Sequence, residues 1–249
     1  MSQKRRHEVI LGEVRLRNKV LLPDLANILD VSVDTIRRDV KKLHELGQLK
    51  KIHGGAVSLS YLNRQPADEN IYARELKIQI ADKAQQLIND DSVILISGGT
   101  TNVELARILH PKLYLTVFTP SLPVAIQLSE HPRAEVILIG GKLSKDSQVT
   151  IGGSALDLLS EIKVDLCFMG TGYLDAIHGL TTMDWEVAQM KKAMIKASKK
   201  VVALSISEKL NSTQRYKICD IATFDTLITE LSPQDEALKV YADYNIQIL

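Results

Sequence analysis

The first sixty residues repeat their apolar positions at helical spacing, whereas the remainder alternates short apolar runs with further helical patterns. Val9, Ile10, Val14 and Leu16 give a first helix over Gln3 to Arg17 one apolar side. Leu22-Pro23-Asp24-Leu25-Ala26-Asn27-Ile28-Leu29 predicts a shorter helix with Pro23 in its first turn, and Asp30-Val31 connects it to a third. In that third helix Ile36, Val40 and Leu43 recur at i, i+4 and i+7 and form the inward stripe. Its ends carry chemical marks. Ser32 can accept from first-turn N–H groups, Asp34 suits the positive helix end, and Gly47 can take the left-handed terminating conformation. Gln48 to Ile52, the Gly54-Gly55 turn and Ala56-Val57-Ser58-Leu59 then predict a short hairpin.

Periodicity lapses between Ser58 and about Asn70, where Asn63, Gln65, Pro66, Asp68, Glu69 and Asn70 cluster. The expected organisation is a first domain over 1–60, a linker over 61–70 and a second domain over 71–249. A helix from about Ile71 to Ile88 opens the second domain. The apolar runs Val93–Ile96, Leu115–Phe118, Val136–Ile139, Val164–Met169, Val201–Leu204 and Thr226–Thr229 then alternate with helical patterns. Strands buried on both faces read this way in a mostly parallel, Rossmann-like α/β sheet. In such sheets ligands sit where strand ends lead into helices.

Charge changes the picture. Residues 1–60 hold 12 Lys+Arg against 7 Asp+Glu, while the remainder holds 19 against 23. A basic head followed by a mildly acidic body suits a polyanion-binding module on a domain that binds something else. With 45% hydrophobic and 4% aromatic residues, the core is expected to be mainly aliphatic. No apolar run approaches the roughly 20 residues of a membrane span, and the start has no apolar signal core, so a cytoplasmic protein is expected. Cys167 and Cys219 lie in apolar segments and read as reduced thiols. The six histidines do not cluster, so neither a metal site nor a cofactor is expected. No serine occupies a nucleophile elbow.

Two helices joined as tightly as the second and third form a helix-turn-helix. On the third, Asp34, Arg38 and Lys41 fall opposite the apolar stripe, with Thr35 and Arg37 on its flanks, and Asp39 lies nearer the inward side as a structural residue. Thr35-Ile36-Arg37-Arg38-Asp39, followed by His53-Gly54-Gly55-Ala56, resembles the winged helix-turn-helix of the DeoR family of bacterial transcription regulators. Arginine can pair with guanine edges and lysine neutralises phosphates. The candidate DNA-binding residues are therefore Ser32, Asp34, Thr35, Arg37, Arg38, Lys41, Lys42, Lys51, His53, Gly54 and Gly55. The competing reading is a solvated charged face in which Arg38 pairs with Asp34 one turn earlier.

Ser97-Gly98-Gly99-Thr100-Thr101-Asn102 follows the first apolar run and opens a helix. Glycines let a backbone approach an oxyanion, and a helix N-terminus can hold one, although alone this stretch also reads as a tight strand-to-helix turn. Thr119-Pro120-Ser121, Gly140-Gly141-Lys142, Gly170-Thr171-Gly172 and Ser205 to Lys209 follow later runs. Across essentially its full length the chain resembles the DeoR family, whose second domain is similar to ribose-5-phosphate isomerases and CoA transferases and senses phosphorylated sugars. The resemblance implies that Gly99, Thr100 and Thr101 hold a phosphate, and Gly98, Gly170 and Thr171 join the candidate effector set from the strand-end pattern. It also implies that Asp175 lines the pocket and that Lys191 and Lys209 supply cations. Lys191 reads equally as one of the water-exposed lysines of an amphipathic helix.

Ser97, Pro120, Gly172, Val187 and Ser205 depart from the family pattern, which has carboxylates or an amide at these points. Carboxylates orient sugar hydroxyls by accepting from them. A smaller or less hydroxylated phosphate, or no effector, is therefore expected; the alternative is that neighbouring groups substitute and the ligand is an ordinary phosphorylated sugar. The function implied is a ligand-responsive transcription regulator acting as a repressor, with double-stranded DNA and a small phosphorylated metabolite as partners. Because one head reads few bases, a homodimer or homotetramer is expected. The alternatives are a sugar-phosphate isomerase or transferase with an accessory head, for which Glu104, Asp175, Asp184 and Glu186 are the available carboxylates, and a regulator with a degenerate pocket.

Overall fold

A computed structural model describes residues 1–59 and 71–249; the expected linker, 61–70, lies outside the described residues. The chain divides into two compact units, Met1–Tyr72 and Ala73–Leu249.

The first unit contains α1 (Gln3–Arg17), β1 (Lys19–Leu21), α2 (Leu22–Leu29), α3 (Val33–Glu45), β2 (Lys50–Ile52) and β3 (Gly55–Val57). Ser32 caps α3 by accepting from the Thr35 N–H at 3.2 Å, and beyond Leu46 the chain leaves the helix through Gly47 at φ +67°. Ile10, Val14, Leu25, Ile36, Val40, Leu43 and Leu49 form the core. Burying these side chains supplies the main favourable term, of the order of 1.5–3 kcal/mol for each large aliphatic group.

The expected hairpin is present, but its sheet has a third strand that the sequence pattern misses. The order is β1-β3-β2, with Lys19 opposite Val57 and Leu21 opposite Gly55. Three residues are too few to show alternation, and β1 is held by a partner more than thirty residues away. Gly55 lies within β3 because a Cβ there would overlap the Val20 carbonyl oxygen.

The second unit opens with α4 (Arg74–Gln85), which lies inside the expected 71–88 range. Ala73 at φ +50° interrupts the helical run at one end, while Leu87 and Ile88 turn back onto Ala84 and Gln85 at the other. The chain continues through β4 (Ser92–Ile96), α5 (Thr100–Ile108), β5 (Leu115–Thr119), α6 (Leu122–Leu128) and β6 (Ala134–Leu138). Next come β7 (Lys142–Ser144), β8 (Val149–Ile151), α7 (Gly153–Ser160), β9 (Val164–Gly170), β10 (Tyr173–Asp175), β11 (Gly179–Thr182) and α8 (Trp185–Lys196). It ends with β12 (Ser198–Leu204), β13 (Tyr216–Cys219), β14 (Thr226–Ile228), α9 (Lys239–Ala242) and β15 (Gln247–Ile248).

All six expected apolar runs enter one seven-stranded parallel sheet, ordered β15-β14-β12-β9-β4-β5-β6. From β4 the chain builds outward to β5 and β6, then returns to place β9 on the other side of β4. The strand order therefore reverses between β4 and β9, the place at which open α/β sheets bind ligands beyond the carboxyl ends of their strands. Two antiparallel additions, β7 with β8 and the sheet β10-β11-β13, are not legible as apolar runs because their strands are short and irregular.

Candidate nucleic-acid interface and effector site

On α3 the residues between the buried positions reach water. Asp34, Arg37, Arg38, Lys41 and Lys42 are exposed, and Thr35 is half-buried. The Asp34 carboxylate pairs with Arg37 and not with Arg38; Arg38 Nε approaches only the Asp34 carbonyl oxygen, at 3.4 Å. This corrects the Arg38–Asp34 pairing of the solvated-face reading, while the exposure of the face accords with either reading. The i+3 partner captures the carboxylate, and the Arg38 guanidinium keeps its other donors. Ser32 and Thr35 hydroxyls lie 2.9 Å apart and serve the helix cap. On the hairpin Lys51, His53 and Gly54 are exposed, as is Lys50, whose charge the sequence reading passed over. Gly55 is buried in β3, so its place in the recognition set is corrected to a packing position.

Asp39 is 1% exposed, as its inward bearing implied. Its carboxylate accepts from Arg6 Nε at 2.8 Å, Arg6 Nη2 at 3.3 Å and Gln3 Nε2 at 3.2 Å, and faces His7 Nε2 at 3.1 Å. Burial pushes its pKa up, but the hydrogen bonds from Arg6, Gln3 and His7 outweigh this and hold the carboxylate below its ordinary value.

In the second unit the sequence-predicted effector residues gather at the reversal of strand order. Gly99, at φ +124°, precedes the first turn of α5, and among the described residues no side chain caps that helix, which leaves its first-turn N–H groups at the carboxyl end of β4. Gly170 ends β9 against this turn, since a Cβ on Gly170 would overlap the Gly98 carbonyl oxygen. Lys191, half-buried on α8, donates from Nζ to the Gly170 carbonyl at 2.6 Å. Lys209, buried just after β12, donates to the Thr171 carbonyl at 3.2 Å. Neither lysine stands in open water, which removes the bland reading of Lys191. Desolvation lowers the Lys191 pKa to about 8, against the opposing pull of Cys219 and Cys167. The Thr171 hydroxyl is already donated to the Leu204 carbonyl at 2.9 Å.

Ser97 is 1% exposed and acts as a clamp. Its oxygen accepts the Gly170 N–H at 2.8 Å and Asn102 Nδ2 at 3.1 Å, while its own proton goes to the Gly98 carbonyl at 3.2 Å. Asn102, fully buried, also donates to Ser97 O at 2.9 Å and Phe168 O at 3.2 Å. Sequence reasoning read Ser97 only as a missing carboxylate and passed over Asn102; both roles depend on β9, some seventy residues away. Asn102 Oδ1 and Thr100 Oγ1 are buried and meet no hydrogen-bond partner among the described residues.

Three of the other four departures have structural roles of their own, and nothing in the structure explains Gly172. Pro120 O accepts the Thr150 N–H at 2.8 Å, Val187 packs against the core, and Ser205 is buried with its hydroxyl on Ile206 O. The Asp175 carboxylate closes the β10–β11 turn, accepting from Ile177 N at 3.0 Å and His178 N at 2.8 Å. Those bonds and the His178 ring outweigh the upward push of burial and lower its pKa. Asp175 Oδ1 therefore serves its own turn, while the residue stays half-buried at the end of β10. The remaining candidate bases are engaged too. Glu104, fully buried, binds Arg74 and Arg107 at 3.1 Å, Asp184 caps α8 through Val187 N, and Glu186 pairs with Lys142.

A family model described as a DeoR-like helix-turn-helix domain matches residues 6–61, and one described as the DeoR C-terminal sensor domain matches residues 73–231. The HTH-type transcriptional regulator GolR of Listeria innocua is 33% identical, over 98% of this chain and 96% of its own length. The chain belongs to the DeoR family. The Escherichia coli glycerol-3-phosphate regulon repressor is 29% identical, over 100% of this chain and 99% of its own. Among solved structures, eIF2B beta of Chaetomium thermophilum covers 85% of this chain and 60% of its own, at 16% identity and a TM-score of 0.50, which is a likeness of fold. Ribose 5-phosphate isomerase of Methanocaldococcus jannaschii aligns over 55% of this chain and 54% of its own, with a TM-score of 0.41.

As a member of the DeoR family the chain is a DNA-binding transcriptional regulator. Among the described residues no helix is long and apolar enough to cross a membrane, and no group of three or more His, Cys, Asp or Glu is placed to hold a metal.

Proposed function

We propose that this DeoR-family regulator is a repressor whose hold on DNA changes when a small phosphorylated metabolite binds at the strand reversal between β4 and β9. The observation that carries the reading is convergence. An uncapped helix N-terminus after Gly98-Gly99 and two lysine ammonium groups, on Gly170 O and Thr171 O, meet at one strand reversal. First-turn N–H groups and the helix dipole favour an anion there, and each lysine adds a point charge.

A small ligand suits the chemistry better than a polyol. Ser97 and Ser205 are buried and engaged with backbone, and Asp175 Oδ1 is held by its own turn, so few acceptors remain to read sugar hydroxyls. The relative named for a glycerol-3-phosphate regulon supports the same size class. The engagement of Glu104, Asp175, Asp184 and Glu186 in ion pairs and caps weighs against proton abstraction, which needs a free base beside the substrate.

Arg37, Arg38, Lys41 and Lys42 on α3, with Lys51, His53 and Gly54 on the hairpin, are the DNA-facing set, and a homo-oligomer supplies two heads. The ligand must favour one arrangement of heads over another, because equal affinity for both shifts nothing. Thermal unfolding with glycerol 3-phosphate, a hexose 6-phosphate and inorganic phosphate tests the ligand class. Greatest stabilisation by the three-carbon phosphate is expected, and preferential stabilisation by the hexose phosphate contradicts the reading.

A further inference from the structure

We propose that Arg6 and Asp39 form a positioning pair that sets the rotation of the recognition helix α3 and thereby its base selectivity. Neither residue belongs to the DNA-facing set proposed above. Asp39 directly follows Arg38 and faces α1, so whatever fixes the Asp39 carboxylate fixes the bearing of the Arg38 side chain on the opposite face.

Apolar contact does not fix that bearing alone. Ile10 and Val14 of α1 meet Ile36, Val40 and Leu43 of α3 through side chains without directional bonds. A stripe of this kind tolerates small sliding and rolling between helices, since ridge-into-groove packing leaves the crossing angle a scatter of roughly 15–20°. The carboxylate adds direction. Both Asp39 oxygens accept from one guanidinium, Oδ2 from Nε at 2.8 Å and Oδ1 from Nη2 at 3.3 Å. A planar fork meeting a planar carboxylate constrains angle as well as distance. Gln3 and His7, one turn apart on α1, complete the shell around Oδ1, and Arg6 Nη1 returns to the Met1 carbonyl at 3.2 Å.

Stability is a poor explanation for this arrangement. Removing a carboxylate and a guanidinium from water offsets much of their attraction, and apolar replacements of buried pairs are often neutral or stabilising. What such a pair supplies and an apolar pair does not is a single register. This inference rests on α3 reading base edges.

The test uses full-length protein, a duplex that the wild-type chain enriches from a random pool, and a scrambled duplex of the same composition. Arg6→Lys keeps the charge and loses the fork; Arg6→Met with Asp39→Leu replaces the pair by apolar groups. Both variants are expected to melt at or near the wild-type temperature and to bind the scrambled duplex within about twofold of wild type with the same salt slope, because phosphate contacts remain. Preference for the enriched duplex is expected to fall by about tenfold or more, the worth of one misplaced bidentate base contact. Unchanged preference in a folded variant overturns the proposal, as does equal loss on both duplexes. Unfolding of both variants overturns it as well, because the pair is then a stability element. Failure of the wild-type chain to enrich any sequence is a different result and removes the DNA-reading assignment itself.

Discussion

The Ser97 hydroxyl oxygen accepts the Gly170 N–H at 2.8 Å and so ties the carboxyl end of β4 to that of β9 at the strand reversal. Ser97→Ala leaves this buried N–H without an acceptor. A loss of about 1–3 kcal/mol in unfolding free energy is expected, the desolvation penalty of one unsatisfied buried donor. Urea denaturation measures it, and an unchanged midpoint means that the clamp contributes nothing.

Arg38 and Lys42 are both exposed on α3, and on the proposed reading they divide base reading from phosphate contact. Arg38→Ala is expected to weaken operator binding by about 1–3 kcal/mol and to relax base preference, whereas Lys42→Ala weakens all duplexes alike and lowers the salt slope by about one. Gel-shift titrations across several salt concentrations report both quantities. Equal loss of preference in the two variants contradicts the assignment.

Gly55 is set by backbone approach. In Gly55→Ala the new methyl overlaps the Val20 carbonyl oxygen, so β1 and β3 must separate. Strain of this kind costs about 1–3 kcal/mol. The full-length variant should melt earlier and lose affinity for enriched and scrambled duplexes together, because the fault lies in folding and not in readout. A wild-type melting temperature excludes the close approach.

On the proposed reading, Lys191 gives the effector site a pH dependence. Its pKa is lowered to about 8, so the ammonium is present below that pH and is lost as pH rises through it. A phosphate monoester is already fully ionised there, its second pKa lying near 6. Affinity for a stabilising phosphorylated ligand is therefore expected to fall as pH rises above about 8, well before an ordinary lysine near 10.4 would titrate. Isothermal titration between pH 7 and 9.5 checks this. Lys191→Met should bind more weakly at pH 7 and flatten the profile; a wild-type profile without slope places Lys191 away from the anion.

The recognition helix was legible because its information is local: Ser32, Asp34, Ile36, Val40, Leu43 and Gly47 act on backbone within a turn of themselves. The six core strands were legible for a related reason, since burial on both faces leaves unbroken apolar runs. The strand β1 was not, because Lys19-Val20-Leu21 becomes a strand only when Gly55 lies beside it. Arg37 in place of Arg38 as the partner of Asp34 was beyond the helical wheel, which gives bearings and not side-chain conformations.

Asp39 illustrates the division within one residue. Its spacing from Ile36, Val40 and Leu43 is enough to turn it inward, whereas the Arg6 fork that receives it depends on how α1 crosses α3. The same holds in the second unit. The chain by itself determined that glycines and threonines follow an apolar run and that lysines occur later, since both are matters of local order. Only the tertiary structure decided that Ser97 is a clamp and that Lys191 and Lys209 meet the end of β9. The clamp depends on strands β4 and β9 lying side by side, and the folding of some seventy intervening residues brings them there; the lysine contacts depend on α8 and the segment after β12 packing against that same strand end.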